Sequence, residues 1–371
     1  MLASLRVLHV DTQRSVGRLA ADVHALSVRA AGLDTTTGQL LEETLTPSHD
    51  HVRDWVRRLP GPVAVAYEAG PTGFGLYRAL TAAGIRCEVV APSKLLRPAG
   101  DRVKTDARDA IHLARLLHLD EYTPVSVPTV GAEAARDLVR AREQCRGDLM
   151  RARHRVSKML LRHGLIYSGG TKWTGLHLDW LRRQRLDQAP SQLALEEYYD
   201  TLVATKARRD RLDTAIEAMA ADSEFTPLVR RLSCLRGVAD LTGFALAVEI
   251  GDWRRFTGKT IGSFVGLVPS EESSGNSRSQ GSITKTGNKH VRRLLIEAAW
   301  HHRKPYRPGT VMRRRWDQAT PAARARGDLG NRRLHQRWQA FDARHKKSAI
   351  ANTAIARELA SWCWSLATLE D

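Results

Sequence analysis

The sequence predicts two architectures in one chain: an α/β part with a mixed sheet flanked by helices, then an all-α part. Three observations lead there. Within residues 1–131 short strand-like runs come first, and helical stretches then alternate with strands. Residues 132–165 and 191–221 each keep helical spacing over an unusual length. The last third changes charge: residues 231–371 hold 25 Lys/Arg against 12 Asp/Glu, whereas residues 1–131 hold 15 against 14. A chain of 371 residues has room for two or three domains. The expected division is 1–131 with its core from about residue 17, 132–230, and 231–371.

Alternating or apolar runs at Leu5–Val10, Arg18–Asp22, Leu26–Leu33 and Leu40–Leu45 read as strands. The turn Asp34–Gly38 joins the last two as a hairpin. Asp50–Leu59 places Val52, Trp55, Val56 and Leu59 on one helical face. Pro62–Tyr67 reads as a buried strand ending at Glu68. A helix over Gly73–Ala83, a strand over Arg86–Val90 and a helix over Thr105–Leu117 follow. The long helix over 132–165 carries Leu138, Val139, Leu149, Val156, Met159 and Leu160, and its partner runs over Ser191–Ala221. The pair predicts an antiparallel, coiled-coil-like hairpin that could serve as a dimer contact. Residues 166–190 connect the two without a clear pattern. Leu232–Phe244 resembles a helix-hairpin-helix, with Ala239 where the second hairpin glycine would stand. Helices near Thr260–Gly266, Asn288–His302 and Ser348–Ala367 are expected, with a polar Ser/Gly loop after the first of these.

Overall, 58 Lys/Arg and 40 Asp/Glu leave a formal charge of +18, so a polyanion is the first partner to consider. Residues 301–347 alone hold 14 basic and 3 acidic side chains. Six of nine Trp lie after residue 250, and aromatics among Arg suit stacking on bases. No apolar run reaches the ~18 residues needed to cross a bilayer, and Met1–Val10 is too short and mixed for a signal peptide. The four Cys form no CxxC pair and no His/Cys cluster, which excludes a zinc ribbon and a disulfide framework and fits a reducing compartment. A cytoplasmic, nucleoid-associated protein is expected.

Four carboxylates stand out: Asp22, Glu68, Asp106 and Asp109. Asp22 and Glu68 end predicted strands, and Asp106 and Asp109 share a helix face at i, i+3 spacing. Carboxylates on two strand ends and one helix face are how a ribonuclease-H-like fold holds paired Mg²⁺ ions for phosphoryl transfer. Val103-Lys-Thr-Asp-Ala-Arg-Asp-Ala110, continuing to Leu116, resembles the signature of a family of bacterial insertion-sequence transposases. Tyr67-Glu-Ala-Gly-Pro-Thr-Gly-Phe74 and Ala21-Asp-Val-His24 resemble that family's other acidic motifs. The resemblance implies an N-terminal DEDD-type, RuvC-like domain whose metal-binding tetrad is Asp22, Glu68, Asp106 and Asp109, holding Mg²⁺ or Mn²⁺. One departure is that about twenty residues precede Asp22 and contain a rival, Asp11. Asp22 is favoured because the hairpin and helix that should precede the Glu68 strand follow it in order.

Gly266-Leu-Val-Pro-Ser-Glu-Glu-Ser-Ser-Gly275 leads into a stretch with Arg278, Lys285, Lys289, Arg292 and Arg293 but no acid. Such a positive field suits a phosphodiester. The stretch resembles the family's second signature, which implies that Ser274 is a nucleophile, with Ser273 as its neighbour and rival. The carboxylates would then reach the serine across domains or from another subunit. Contacts to phosphates are expected at Arg278, Lys285, Lys289, Arg292, Arg313, Arg314 and Arg315. The resemblance further implies a site-specific recombinase guided by a noncoding bridge RNA, acting on donor and target DNA as a dimer or tetramer. A metal-dependent junction nuclease using water, or a non-catalytic nucleic-acid-binding protein, are the alternative functions.

Overall fold

The computed structural model describes residues 5–8, 17–23, 26–34, 40–59, 61, 63–92, 116, 121–274 and 277–370. Contacts divide the chain into two compact units that meet between Val127 and Pro128.

The first unit is built on a sheet of β1 (Leu5–Leu8), β2 (Gly17–Val23), β3 (Val28–Asp34), β4 (Leu40–Leu45), β5 (Ala64–Glu68) and β6 (Arg86–Val90). Its order is β4-β3-β2-β1-β5-β6, and β2 also pairs in parallel with β5. β3 runs antiparallel to both β2 and β4, with Leu33 opposite Leu40, as a hairpin there requires. The turn residues 35–39 lie outside the described residues. Helix α1 (His49–Arg57) is capped by Ser48 and buries Val52, Trp55 and Val56; α2 (Gly75–Ala82) buries Leu76 and Leu80. β5 shows why both faces of the sheet are covered. Val65 and Tyr67 pack with both helices on one face, while Ala64 and Ala66 pack with Val90 and Leu116 on the other. The helix expected over Thr105–Leu117 lies, apart from Leu116, outside the described residues.

In the second unit α3 (Val130–Arg162) and α5 (Ala189–Ala221) pair antiparallel: Ala135 and Val139 cluster with Ile216 and Ala220, whereas Ala152 and Val156 cluster with Leu195 and Leu202. Thr129 caps α3 by accepting from the Ala132 amide, and a proline lies in the first turn of α5. The connection between them, without pattern in the sequence, holds a short helix, α4 (Gly175–Arg182). Beyond lie α6 (Thr226–Leu232), α7 (Asp240–Ile250), α8 (Ile261–Phe264), β7 (Pro269–Ser274), β8 (Ser277–Ile283), α9 (Lys289–Ala299), a 3₁₀ turn at Trp300–Arg303, α10 (Thr310–Trp316), α11 (Pro321–Asp342) and α12 (Ser348–Ala367). From Gly243 to Ile250 every residue of α7 is buried, because neighbours surround it, and all but Glu249 in that stretch are apolar. No helix among the described residues is long and apolar enough to cross a membrane.

Three expectations are corrected. The polar Ser/Gly loop is a β-hairpin; its strands are polar on both faces, so no hydrophobic alternation announces them. The helix-hairpin-helix turn is not presented to a phosphate. A Cβ on Gly237, at φ 83°, would meet the backbone of Ala298, and the Arg236 amide is held by Asn331. The late tryptophans serve mainly as packing: Trp253 and Trp338 are buried, and Trp316 and Trp364 donate to the carbonyls of Cys234 and Phe256.

Candidate catalytic site

The first-unit carboxylates start from β2 and β5. Their parallel pairing sets Arg18 opposite Ala64, Leu19 opposite Val65 and Ala20 opposite Ala66. Continued at the same register, Asp22 falls level with Glu68. β6 supports the same end, with Val90 opposite Glu68. Glu68 is half-buried, and Ala69 after it donates to the Val90 carbonyl, 2.9 Å away. The motif that follows turns sharply: Gly73 sits at φ 70° and its carbonyl accepts from the Tyr67 hydroxyl at 3.0 Å. That bond reaches back across the turn and fixes the strand end that carries Glu68. Asp106 and Asp109, and the rival Asp11, lie outside the described residues. Two carboxylate positions at one end of neighbouring strands fit the hard, oxygen-seeking chemistry of a divalent ion. No group of three His/Cys/Asp/Glu placed to hold a metal occurs among the described residues, which include only Glu68 of the tetrad with its side chain.

The serine segment is the hairpin β7–β8. Ser274 pairs with Ser277 and Ser273 with Arg278, so Ser274 stands at the end of the ladder, next to Gly275 and Asn276, which lie outside the described residues. Neighbours on a strand point to opposite faces. The Ser273 hydroxyl is held by Glu271 Oε1 at 2.9 Å, and Gln280 Nε2 donates to the other oxygen of that carboxylate at 3.2 Å. Ser274 is exposed, and its hydroxyl has no hydrogen bond among the described residues.

The hairpin's base is fixed by backbone contacts. Gly266 and Gly287 both sit at φ 67°; a Cβ on Gly287 would strike the Phe264 carbonyl, and one on Gly266 the backbone of Thr286. Lys285 also takes a left-handed conformation, φ 56°, and its amide donates to the Gly266 carbonyl. Arg292 Nη1 donates to the carbonyls of Val265 at 3.0 Å and Thr286 at 2.7 Å. Its guanidinium is therefore engaged at the hairpin neck. Lys285 and Lys289 are exposed. Arg313 and Arg314 are exposed, while Arg315 donates to the Val238 carbonyl at 2.7 Å.

Below the hairpin, α9 is anchored by a charge network that the sequence reading missed. Asn288 caps α9 by accepting from the amides of His290 and Val291, and its own amide donates to Glu249 Oε2 at 2.8 Å. Glu249 is buried in α7 and also accepts from Arg140 Nε and Nη2, each at 3.2 Å. His290 lies 3.4 Å from Glu249 and 3.5 Å from Glu143. Burial alone would raise the Glu249 carboxyl, but hydrogen bonds from His290, Arg140 and Asn288 and the Arg140 charge outweigh it and bring it down to about 2. One acid amid an apolar run, Phe244–Ile250, is the signal that could have found this network.

Two family profiles match the chain. Residues 229–310, from α6 through the hairpin and α9, match the transposase IS116/IS110/IS902 family. Residues 19–164 match a transposase DEDD domain of the IS110 type, a span that contains Asp22 and Glu68 and starts after Asp11. The protein named "Putative transposase y4qE" of Sinorhizobium fredii is 41% identical over 306 residues, covering 82% of this chain and 75% of that one. The transposase for insertion sequence element IS1533 of Leptospira borgpetersenii is 29% identical over 338 residues, covering 88% and 96%. The transposase for IS1328 of Yersinia enterocolitica is 23% identical over 247 residues, covering 64% and 70%.

The chain belongs to the IS110/IS116 family of transposases.

As a transposase of an insertion sequence it is a DNA-recombining enzyme, and DNA is the polyanion that its charge anticipates. Its DEDD domain implies dependence on a divalent metal.

Proposed function

We propose that this transposase recombines DNA through Ser274 together with the tetrad Asp22, Glu68, Asp106 and Asp109, guided by a noncoding bridge RNA. The Ser274 hydroxyl attacks a DNA phosphorus, the serine Oγ–P bond forms, and the bond to one strand oxygen breaks. The proton leaves Ser274 for a carboxylate of the tetrad, and the departing strand oxygen is protonated in turn. Asp22, Glu68, Asp106 and Asp109 would hold Mg²⁺ or Mn²⁺, which when bound polarises the phosphoryl oxygens. In the exchange, a free hydroxyl of the other DNA strand attacks the serine-linked phosphorus, the Oγ–P bond breaks, Ser274 takes back its proton, and the strands so joined form a junction whose second exchange completes recombination. Arg278, Lys285 and Lys289 neutralise phosphates near the hairpin. Donor and target DNA, the bridge RNA and further copies of the chain are the partners.

The observation that carries this reading is the end of the β7–β8 hairpin, where the Ser274 hydroxyl is exposed and Ser273 is tied to Glu271. The level register of Asp22 and Glu68, and a DEDD match that begins after Asp11, support the choice of Asp22.

The test incubates purified protein with element DNA and Mg²⁺ and runs denaturing electrophoresis. Wild type is expected to stay attached to DNA, and Ser274→Ala to form no adduct and support no recombination. Ser273→Ala should retain both. Cutting by Ser274→Ala at near wild-type level would favour the junction-nuclease reading, with water as nucleophile. An active Ser274→Ala beside a dead Ser273→Ala would move the nucleophile by one residue.

A further inference from the structure

The far end of the α3–α5 hairpin concentrates positive charge that the segment total conceals. Residues 132–230 hold 18 basic and 14 acidic side chains, yet residues 151–186 hold nine basic and one acidic, Asp179. Arg151, Arg155, Lys158 and Arg162 follow at spacings of four, three and four along α3, so they form one stripe. All four are exposed. The stripe is ~16 Å long at the rise of an α-helix. Arg151 pairs with Asp148, and Arg155, Lys158 and Arg162 have no carboxylate partner among the described residues.

Beside the stripe lies a recess of about 180 Å³, lined by Lys158, Leu161, Tyr167, Lys172, His177 and Trp180 with further aliphatic side chains and no carboxylate. His177 and Trp180 stack at 5.8 Å, and Tyr167 meets His177 edge-on at 4.6 Å. Arg153 lies 5.1 Å over the Trp173 ring. Leu161 and Ile166 at the rim are 56% and 67% exposed.

Helix stability does not explain this. A cation gains from the helix dipole only in the last turn, which accounts for Arg162 but not for Arg151, Arg155 and Lys158. A symmetric contact of this face with itself does not fit, because two such ends would meet with like charge. The other acids near this end stand on different elements from the stripe: Asp179 on α4, Asp187 in the connection after it, and Glu196, Glu197 and Asp200 on α5. Cations in a row beside an aromatic recess are what a phosphate backbone with an unstacked base requires.

We propose that this end of the hairpin binds an unpaired nucleic-acid strand: the Arg151–Arg162 stripe follows its phosphates, and one base enters the recess against Tyr167 and Trp180 between Lys158 and Lys172. The surface goes beyond the recombinase reading, because it requires neither Ser274 nor the carboxylates. It is also remote from the hairpin base, since Arg162 lies ~33 Å along α3 from the Arg140 that holds Glu249.

The experiment is anisotropy titration of the full-length protein with fluorescein-labelled single strands of roughly 12 nucleotides, as RNA and as DNA, against a duplex of the same sequence. Lys158→Ala/Lys172→Ala is expected to weaken single-strand binding about tenfold and to flatten its salt slope by about 1.4, with duplex binding changed less than about twofold. Binding of either sugar type by wild type, lost in the variant, supports the site. Equal losses on strand and duplex, or none on either, would overturn it. A change of subunit number by light scattering with strand affinity intact would also overturn it, marking the face as a contact between copies. Photocrosslinking of a 4-thiouridine strand to wild type requires no variant to fold. Adducts at Tyr167 or Trp180 are expected, and adducts confined to residues outside 151–186 would overturn the proposal.

Discussion

Glu249 is the one carboxylate in the buried stretch Gly243–Ile250 of α7, and its neighbours keep it charged. Four donor atoms on Arg140, Asn288 and His290 surround it, so three helices meet at a single acid. Removing it leaves the half-buried donors of Asn288 and His290 without their acceptor, whereas Arg140, 57% exposed, is hydrated instead. Glu249→Ala is expected to cost about 2–4 kcal/mol, from those unmet donors and the gap left behind. Glu249→Gln, which keeps the volume and part of the bonding, should cost about 1–3 kcal/mol. Thermal melts followed by circular dichroism measure both. The pH dependence has a definite sign. The carboxyl is depressed in the fold from the ordinary 4.5 to about 2, so its contribution is complete above about pH 4.5 and is lost as the pH falls towards 2. Wild type should lose melting temperature across that window, and Glu249→Gln should lose less; parallel curves would remove Glu249 from the acid transition. At this scale the motifs behind the DEDD resemblance were legible in the sequence, and the family match over residues 19–164 agrees with that resemblance. The assignments of Arg292 and Arg315 were not legible, since the carbonyls of Val265, Thr286 and Val238 that they serve come close only after folding.

The β7–β8 hairpin and α11 were both absent from the sequence reading, for opposite reasons. The hairpin has no buried face, so period-two hydrophobicity never arises. Its neck instead depends on Gly266 and Gly287, where backbone meets backbone at positive φ. Gly287→Ala is expected to destabilise by roughly 1–3 kcal/mol and to disorder the hairpin, with serine-dependent adduct formation lost while binding of DNA persists. Gly309→Ala is the comparison, since a Cβ there meets nothing within 4 Å; it should behave as wild type. For α11 the signals were present but hidden by charge. Thr320 caps it, Pro321 opens it, and Ala323, Gly327, Gly330, Leu334 and Trp338 recur on one buried face. The small residues there admit Cys234 and Trp362 at close range, so glycines that weaken an isolated helix improve its packing. The long helices were legible because their apolar spacing persists over many turns.

Across the molecule, the proposed metal ligands and the excess charge lie in different parts of the chain. The first 131 residues are nearly neutral and hold the four carboxylates, and the last third holds 25 basic residues. Asp106→Asn should therefore abolish cleavage in Mg²⁺ and leave DNA affinity, measured by filter binding, within about twofold. Full cleavage by that variant would exclude Asp106 from the site. Binding should weaken steeply with salt, and neutralising Arg313 and Arg314 together should flatten the duplex slope by about 1.8. An unchanged slope would place both on a surface that DNA does not reach. Arg315→Gln should act differently, lowering the melting temperature more than the slope, because its guanidinium holds the Val238 carbonyl.

The sequence by itself determined the mixed sheet, the helical hairpin, the acidic motifs and the demand for a polyanion. Each of these follows from local period, spacing or net charge, which the order of residues already contains. Only the tertiary structure decided the sheet register that levels Asp22 with Glu68, the separation of Ser273 from Ser274, and which arginines hold carbonyls instead of facing solvent. It also gathered Lys158 and Lys172, on opposite sides of a turn, into one recess with Tyr167 and Trp180. These depend on distances between residues far apart in the chain, and such distances are set by packing of the assembled elements rather than by any one segment.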